Sequence, residues 1–565
     1  KLKIKSIYGY HLSGSEISDC SQEITKVINK FNKNKNKKKK IISEKTSIVI
    51  CYGDSVFSSS QKHLLKNFQS FFQKKLNKFF DTVHFLPFYP SSSDSGFAVK
   101  DHYKIDSRLG NWSDITKFSK KNDVMADVVI NHSSARGLWF KNFLKKKKPG
   151  KDYFLTVNSN FNVSKVIRPR DHQLLKKIDI FKKPKYLWRT FSPDQLDMNF
   201  KNPAVLLRFI KIMINLINHG VTIFRLDAIA YLWKKNGTQC INLKETHEII
   251  KLFRFVCSLL NVESIIVTET NLPEKENISY FGNTDEANWI YNFSLPPLLI
   301  YSFLFENSSY LNRWNKKLPQ TKKGNSYLNF IASHDGIGMR PVEGIISKSN
   351  KDRFFKRLKK NGSKFSYRKV QSKSKKVYEA NITVFDALNK SDYDPKGKFS
   401  LERFISAHSI MISFEGVPAI YFNSLFGTSN DEAKYIITGN NRDLNRYRWN
   451  HKNITEKLKN LKSKQSIFYK NITNLLEIRR KQKAFHPNGI RSSFNMGKKI
   501  FCFKRQSVDK KQTILCITNL SSKVQSTKIN QNFLTWKNLL SSNNNHISNK
   551  IIKLEPFETV WLSNR

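Results

Sequence analysis

The chain has 565 residues, of which 39% are hydrophobic and 13% aromatic. This apolar content is enough for a large buried core and excludes a wholly disordered or fibrous protein. Lysine and arginine number 99 against 44 acidic residues, so the formal net charge is +55. The excess is mostly lysine spread along the whole chain, which indicates a compositional bias and argues against a nucleic-acid-binding protein.

The six cysteines are scattered, with no CxxC pair and no regular spacing. This pattern predicts neither a disulfide framework nor a zinc site, and it fits a reducing compartment. No apolar run has the length of a signal peptide or of a membrane span. We therefore expect a cytoplasmic protein without a membrane partner.

Residues 1–45 form a polar N-terminal extension that ends in the run NKNKNKKKK, which is typical of a solvated loop or tail. From residue 46 onward, short apolar runs alternate with stretches of helical periodicity. The apolar runs, in chain order, are TSIVICY, DTVHFLPF, DVMADVVI, VTIFRL, ESIIVTE, YLNFIAS and VPAIYF. The helical stretches are HLLKNFQSFFQKKLNKFF, PAVLLRFIKIMINLINHG, KETHEIIKLFRFVCSLL and LERFISAHSIMISF.

Strands that are apolar throughout, alternating with amphipathic helices, predict an α/β fold with a parallel sheet. About eight repeats predict a (β/α)₈ TIM barrel, here built from residues 46–132 and 200–483. Residues 133–199 are too many for a plain loop, so we expect an inserted subdomain after the third strand. A second, lysine-rich and serine-rich excursion covers residues 340–377. Residues 484–565 contain short runs such as KIFCFKR, TILCITNL and ETVWLS, which predict a C-terminal antiparallel β-sandwich.

In such a barrel, polar residues at the carboxyl ends of the strands face the active site. A single carboxylate at a strand end is usually a surface or loop-capping group. Here four strand ends in succession carry acids or histidines, which packing alone does not explain. They are Asp127 to His132 in DVVINH, Arg225 and Asp227 in FRLDA, Glu269 in VTET, and His334 with Asp335 in SHD.

These four motifs resemble, in order, those of the α-amylase superfamily of retaining α-glucosyl enzymes, glycoside hydrolase family 13. The segments LPFYPSSSDSGFAVKDHYKID, VIRPR and TGNNRDLNR are similar to its sucrose phosphorylase branch. The stretches IAYLWKKNGTQCINLKETHEIIKLFR and YEANITVFDAL resemble the phosphorylases of that branch that act on glucosylglycerate, glucosylglycerol or phosphorylated sucrose.

The resemblance implies that Asp227 is the nucleophile, Glu269 the acid/base and Asp335 the stabiliser of the transition state. Glycoside cleavage needs an acid on the leaving oxygen and a carboxylate against the anomeric carbon. Arg225 lies two residues before Asp227 on a strand, so both side chains point to one face. We expect this guanidinium to keep Asp227 ionised, whereas Glu269 needs a raised pKa to stay protonated until it donates.

The resemblance also implies a closed pocket that admits one glucose unit. Its substrate-binding residues would be Asp94, Phe97, His132, Phe191, Arg225, Tyr231, His334 and Arg442. For Phe97 and Phe191, ordinary core packing is an equally good interpretation. On the acceptor side the resemblance implies a phosphate-binding Arg170, Tyr378 on a mobile loop, and Glu379 where enzymes acting on sucrose carry glutamine.

The sequence therefore predicts a disaccharide phosphorylase that converts a small α-glucoside and inorganic phosphate to α-glucose 1-phosphate with retention. A hydrolase or transglucosidase of the same superfamily, resembling amylosucrase, is the alternative. The aglycone stays open among fructose, fructose 6-phosphate, glycerate and glycerol, and so does the oligomeric state. We expect no metal ion and no organic cofactor.

Overall fold

The computed structural model describes residues 1–31, 42–59, 63–180, 183–260, 263–369, 375–541 and 547–565. The lysine-rich run predicted to be a solvated loop or tail covers residues 32–40 and lies outside these ranges. Elements are named below by their first and last residues, and only the barrel strands are numbered.

Eight parallel strands form a closed barrel, as predicted. Each strand pairs with its neighbours in the chain, and the last strand pairs with the first. Almost every strand residue is buried, which explains why the sequence shows continuous apolar runs and no alternation. The strands are β1 (Ile48–Cys51), β2 (Thr82–Phe85), β3 (Asp123–Val129), β4 (Val221–Asp227), β5 (Ile265–Thr268), β6 (Trp289–Tyr291), β7 (Ser326–Asn329) and β8 (Val417–Tyr421).

The sequence analysis did not locate β6. This strand has only three residues, so it is too short to show a recognisable apolar run. The helix that follows, Leu295–Leu304, is buried along its entire length. A helix without a polar face shows no 3.6-residue periodicity of apolar residues. The hydrophobic pattern of the sequence therefore does not reveal this βα unit.

Helices surround the barrel, and the four helical stretches predicted from the sequence are all confirmed. The helix Pro203–Asn218 shows how the local sequence starts such a helix. The side chain of Asn202 caps its first turn by accepting a hydrogen bond from the Ala204 N–H at 3.0 Å, and proline occupies the first helical position. The helices are Leu64–Lys75, Trp112–Ser119, Pro203–Asn218, Lys244–Leu259, Glu274–Ser279, Leu295–Leu304, Ser309–Lys317, Val384–Asn389, Ser400–Ser413, Glu432–Thr438, His451–Lys459 and Lys464–Arg479.

The polar N-terminal extension contains two amphipathic helices, Leu2–Tyr8 and Gly14–Phe31. Their apolar residues recur at helical spacing and are buried against the barrel helices. The Tyr8 hydroxyl donates a hydrogen bond to the Phe200 carbonyl oxygen at 2.9 Å. The polar composition of this segment therefore belongs to the outer faces of packed helices.

The two long excursions are folded. The insertion after β3 contains the helix Leu138–Leu144 and the strands His132–Ser134, Thr156–Val157, Leu175–Ile180, Lys183–Trp188 and Gln195–Asp197. The excursion after β7 contains the helix Lys348–Lys360 and a sheet of three strands, Ile337–Gly338, Lys364–Lys369 and Lys375–Asn381. Both contribute residues to the cavity described below.

The C-terminal region consists of two antiparallel sheets, which confirms the predicted sandwich. Their inner faces share a core that includes Cys502, Leu515 and Val560 from one sheet and Ile552 and Leu554 from the other. The larger sheet contains Ile490–Phe494, Ile500–Gln506, Thr513–Asn519, Thr559–Ser563 and Lys537–Asn538, and the smaller contains Gln525–Lys528, Ile551–Leu554 and Ile547–Ser548.

The six cysteines all carry free thiols, and five of them are buried. Among the helices of the described ranges, none has both the length and the apolar character that crossing a bilayer requires.

Candidate active site

The predicted strand ends converge on one cavity at the carboxyl end of the barrel, with an empty volume of about 680 Å³ including its open mouth. The barrel, the inserted subdomain and the second excursion all contribute to its wall. Every residue that the sequence analysis assigned to the site lines this cavity, except Arg225. They are Asp94, Phe97, His132, Arg170, Phe191, Asp227, Tyr231, Glu269, His334, Asp335, Tyr378, Glu379 and Arg442.

The carboxylates of Asp227 and Glu269 belong to adjoining strands. Leu226 of β4 is in register with Thr268 of β5, so the next residues along the two strands stand side by side, about 4.8 Å apart at the backbone. Ala228 turns the chain away from β4 with a positive φ of 52°. Its backbone N–H donates to Glu269 Oε2 at 3.0 Å, which ties the second carboxylate to the end of the first strand.

Arg225 lies behind the cavity wall and connects two aspartates. Its Nη1 donates to Asp227 Oδ1 at 2.9 Å and also bonds Asp127, which faces it in the register of β3 and β4. His84 Nε2 lies 2.8 Å from the other Asp127 oxygen. Arg225, which the sequence analysis also placed among the substrate-binding residues, forms its side-chain hydrogen bonds with these two carboxylates and orients Asp227.

Burial raises the pKa of both catalytic candidates, and the Arg225 guanidinium opposes that effect at each. For Glu269 the direction is the one predicted. For Asp227, Arg225 lowers the pKa as expected, but burial, reinforced by the Glu269 charge, outweighs it and raises the pKa well above its ordinary value. Because Arg225 bonds Asp227 directly and does not bond Glu269, a proton shared by the pair is more stable on Glu269.

Charged neighbours outweigh burial at Asp335, whereas burial dominates at the two histidines. Burial favours the neutral form of Asp335, but the Arg442 and Arg446 guanidinium groups hold its pKa well below the ordinary value. The Arg442 Nη1 atom lies 2.8 Å from Asp335 Oδ1. Burial lowers the pKa of His334 to about 3 and that of His132 to about 4, so both imidazoles are neutral near pH 7.

Asp94 is held by a tight turn and by two arginines. Residues Asp94–Gly96 form a single helical turn in which Gly96 has φ 109°, and a Cβ there would lie 2.5 Å from the Pro87 carbonyl oxygen. Asp94 Oδ2 is 3.6 Å from Arg442, and Asp94 Oδ1 is 3.3 Å from Arg446. Sequence reasoning missed Arg446, although it is the last residue of the motif TGNNRDLNR.

The inserted subdomain supplies a second residue that sequence reasoning missed. Gln195 Nε2 lies 3.0 Å from His132 Nε2, because the strand Gln195–Asp197 pairs with His132–Ser134. No local sequence signal marks this glutamine. The Phe191 ring packs 5.3 Å from the His132 ring and 5.4 Å from the Tyr231 ring, and the Phe97 ring stacks on His334 at 4.9 Å. The two phenylalanines therefore form apolar walls of the cavity.

The predicted acceptor residues lie together at one side of the cavity. The Arg170 guanidinium is 5.3 Å from the Tyr378 ring and has Nη1 3.8 Å from Glu379 Oε1. Glu379 also accepts hydrogen bonds from Arg442 at 2.9 and 3.3 Å, so it connects the two arginines. Tyr378 belongs to the strand Lys375–Asn381 and is buried, whereas the resemblance implied a mobile loop.

A buried lysine lies among oxygen atoms behind the cavity. Lys234 Nζ donates to Asp197 Oδ2 at 2.5 Å and to Asn131 Oδ1 at 3.1 Å, and it also bonds the Tyr231 carbonyl oxygen. Asn131 belongs to the DVVINH motif. The ammonium group of Lys234 therefore supplies the positive charge beside the buried Asp197 carboxylate.

Comparisons with known proteins agree with this geometry. Residues 74–361 match the family model described as the α-amylase catalytic domain. A glucosylglycerate phosphorylase of Spirochaeta thermophila is 38% identical over 84% of this chain and 80% of its own length. A glucosylglycerate phosphorylase of Escherichia coli is 35% identical over 93% of each chain.

The fold is also that of a solved sucrose 6F-phosphate phosphorylase from Thermoanaerobacter thermosaccharolyticum. The two share a TM-score of 0.72 at 23% identity, over 84% of this chain and 94% of that chain. At this identity the likeness concerns the fold alone. Together with the family match over half of the chain, the sequence relatives establish the assignment. The chain belongs to the α-amylase family, in the branch that contains the sucrose and glucosylglycerate phosphorylases.

Proposed function

We propose that this protein is a retaining α-glucoside phosphorylase and that glucosylglycerate is its substrate. The observation that carries the proposal is the position of Arg170, a cation that lines the same cavity as Asp227 and Glu269. A site crowded with carboxylates repels phosphate unless a fixed cation attracts it. A glycosidase that uses water has no need of such a group.

In the first step the Asp227 carboxylate attacks the anomeric carbon of the bound glucosyl unit. The bond from that carbon to the glycosidic oxygen breaks, and Glu269 donates its proton to the departing oxygen. The products are the free aglycone and a β-glucosyl ester of Asp227. Asp335, whose pKa stays low, is ionised and stabilises the positive charge that develops on the sugar.

In the second step a phosphate oxygen attacks the same carbon from the side that the aglycone left. The ester bond to Asp227 breaks, and the attacking oxygen's proton, where it carries one, passes to Glu269. Two inversions give α-glucose 1-phosphate with net retention. Arg170 neutralises part of the phosphate charge, and Tyr378 packs beside its guanidinium.

The glucose pocket is closed at its far end by charged and aromatic side chains. Asp94 with Arg446, and Asp335 with Arg442, form paired groups that hold sugar hydroxyls in fixed directions. His132 and His334 are neutral and can donate or accept hydrogen bonds without adding charge. This arrangement fits one terminal glucose unit and excludes a polymer that continues beyond it.

Glucosylglycerate is proposed as the substrate because the relatives at 35% identity and above carry that name. The test is a panel of glucosylglycerate, sucrose, sucrose 6F-phosphate and glucosylglycerol, each offered with phosphate. The highest kcat/KM should belong to glucosylglycerate. A higher kcat/KM for any of the other three compounds would identify that compound as the substrate, and the proposed reaction type would be unchanged.

A further inference from the structure

A second arginine is buried next to the acceptor side of the cavity, and no acidic side chain in the described part of the chain forms an ion pair with it. Arg340 begins the short helix Arg340–Val342 and is only 3% exposed. Within the described ranges, its Nε and Nη1 atoms have no hydrogen-bond partner. A guanidinium does not lose its proton at physiological pH, so the charge remains. A buried, unpaired charge is strongly unfavourable, which indicates that an anionic ligand completes this site.

The backbone places Arg340 against the strand that carries the acceptor residues. Gly338 pairs with Glu379, and the N–H of Met339 donates to the Tyr378 carbonyl oxygen at 2.9 Å. The strand passes so close to the cavity wall that a Cβ on Gly338 would lie 2.5 Å from Asn271 Oδ1. Arg340 is therefore fixed two residues beyond a point of contact with the cavity lining.

The charge of Arg340 acts on the cavity. Burial raises the pKa of Tyr231, and the largest opposing influence is Arg340, ahead of Arg170. The charge of Glu269, the proposed acid/base, raises the pKa of the same Tyr231 hydroxyl. The backbone pairing of Gly338 with Glu379 and of Met339 with Tyr378 puts Arg340 beside the acceptor residues, although Arg340 itself is not among the residues that line the cavity.

The two arginines differ in what neutralises them. Arg170 has Glu379 at 3.8 Å and a side chain that is 20% exposed, so it can exchange phosphate with solvent. Among the described residues, Arg340 forms no ion pair with an acidic side chain, and it is only 3% exposed. In an α-glucoside of a 2-hydroxy acid, the carboxylate is bonded to the carbon that bears the glycosidic oxygen. It therefore enters with the aglycone and remains near Glu269.

We infer that Arg340 binds the carboxylate of the aglycone and that it selects small hydroxy acids over neutral polyols. This inference rests on the proposed phosphorylase activity and makes Arg340 its specificity determinant. Loss of a charge-assisted hydrogen bond corresponds to a change of roughly 10- to 100-fold in acceptor affinity. The same change should leave a neutral acceptor and phosphate almost unaffected.

The experiment measures the reverse reaction, α-glucose 1-phosphate with D-glycerate or with glycerol. Arg340→Met should raise the KM for glycerate roughly 10- to 100-fold, leave the KM values for glycerol and glucose 1-phosphate within about twofold, and so abolish the preference for the acid. Arg340→Lys should restore part of that preference because it keeps the charge. Arg313→Met, at an exposed arginine, is the matched control and should match the wild type.

An equal loss with glycerate and with glycerol, or a comparable rise in the KM for glucose 1-phosphate, would overturn the inference. The wild-type protein gives an answer even if no variant folds, because equal use of glycerate and glycerol also contradicts a carboxylate site. If the wild type transfers glucose to neither acceptor, the proposed function fails. Calorimetric titration with D-glycerate then decides the inference separately: binding that Arg340→Met abolishes supports it, and absence of binding to the wild type refutes it.

Discussion

Glu269 accepts a hydrogen bond from the backbone of Ala228, the residue that turns the chain away from Asp227. This contact fixes both carboxylates at one end of two adjoining strands, in a single cavity. The two carboxylates differ in their cationic contact, since Arg225 bonds Asp227 and does not bond Glu269. The first two predictions follow from this arrangement.

Glu269→Gln and Asp227→Asn should separate acid catalysis from nucleophilic attack. α-Glucosyl fluoride is the probe, because fluoride leaves without a proton. With this donor and phosphate, Glu269→Gln should keep most of the wild-type kcat, whereas its rate with glucosylglycerate should fall by roughly 100- to 10,000-fold. Asp227→Asn should be inactive with both donors. Equal losses for Glu269→Gln with the two donors would remove Glu269 from the role of acid.

The pH dependence should follow the directions of the two pKa shifts. Activity falls on the alkaline side as the proton leaves Glu269, and on the acid side as a proton binds Asp227. Arg225 lowers the pKa of Asp227, so Arg225→Met should raise that pKa and move the acid limb of kcat/KM to higher pH. Arg225→Lys, which keeps the charge, should show a smaller displacement. An unmoved acid limb in Arg225→Met would contradict the claim that the Arg225 charge lowers the pKa of Asp227.

Arg170→Ala should weaken the use of phosphate more than the cleavage of the glucoside. Loss of a charge-assisted contact corresponds to a rise of roughly 10- to 100-fold in the KM for phosphate. The KM for glucosylglycerate should change less. Lys176→Ala removes an exposed cation of the same inserted subdomain and should change neither constant. If Lys176→Ala has the same effect as Arg170→Ala, diffuse charge explains phosphate attraction better than a defined site.

Lys234→Met should destabilise the protein because it leaves the buried Asp197 carboxylate without its cation. We expect a loss of about 3 to 5 kcal/mol in the free energy of unfolding, measured by urea titration. The double variant Lys234→Met with Asp197→Asn should recover part of that loss. Lys235→Met, at the exposed neighbouring position, should stay close to the wild type. A small effect for Lys234→Met would show that the ammonium does not support this region.

The barrel could be predicted because seven of its strands are apolar runs and four of its helices show clear helical periodicity. Strand β6 could not be predicted, because it has only three residues and the helix that follows is buried on all sides, so neither shows a periodic pattern of apolar and polar residues. The catalytic candidates were identified from motifs at strand ends, which a sequence displays directly. Gln195 and Arg446 depend on pairings between distant segments, and the raised pKa of Asp227 depends on burial that only the assembled cavity creates.

The central claim is that phosphate, and not water, resolves the glucosyl ester of Asp227. The direct measurement follows glucosylglycerate in the presence and absence of phosphate and quantifies glucose and α-glucose 1-phosphate separately. We predict that nearly all product is α-glucose 1-phosphate when phosphate is present, and that turnover becomes very slow when it is absent. Release of free glucose at the same rate in both conditions would contradict the account.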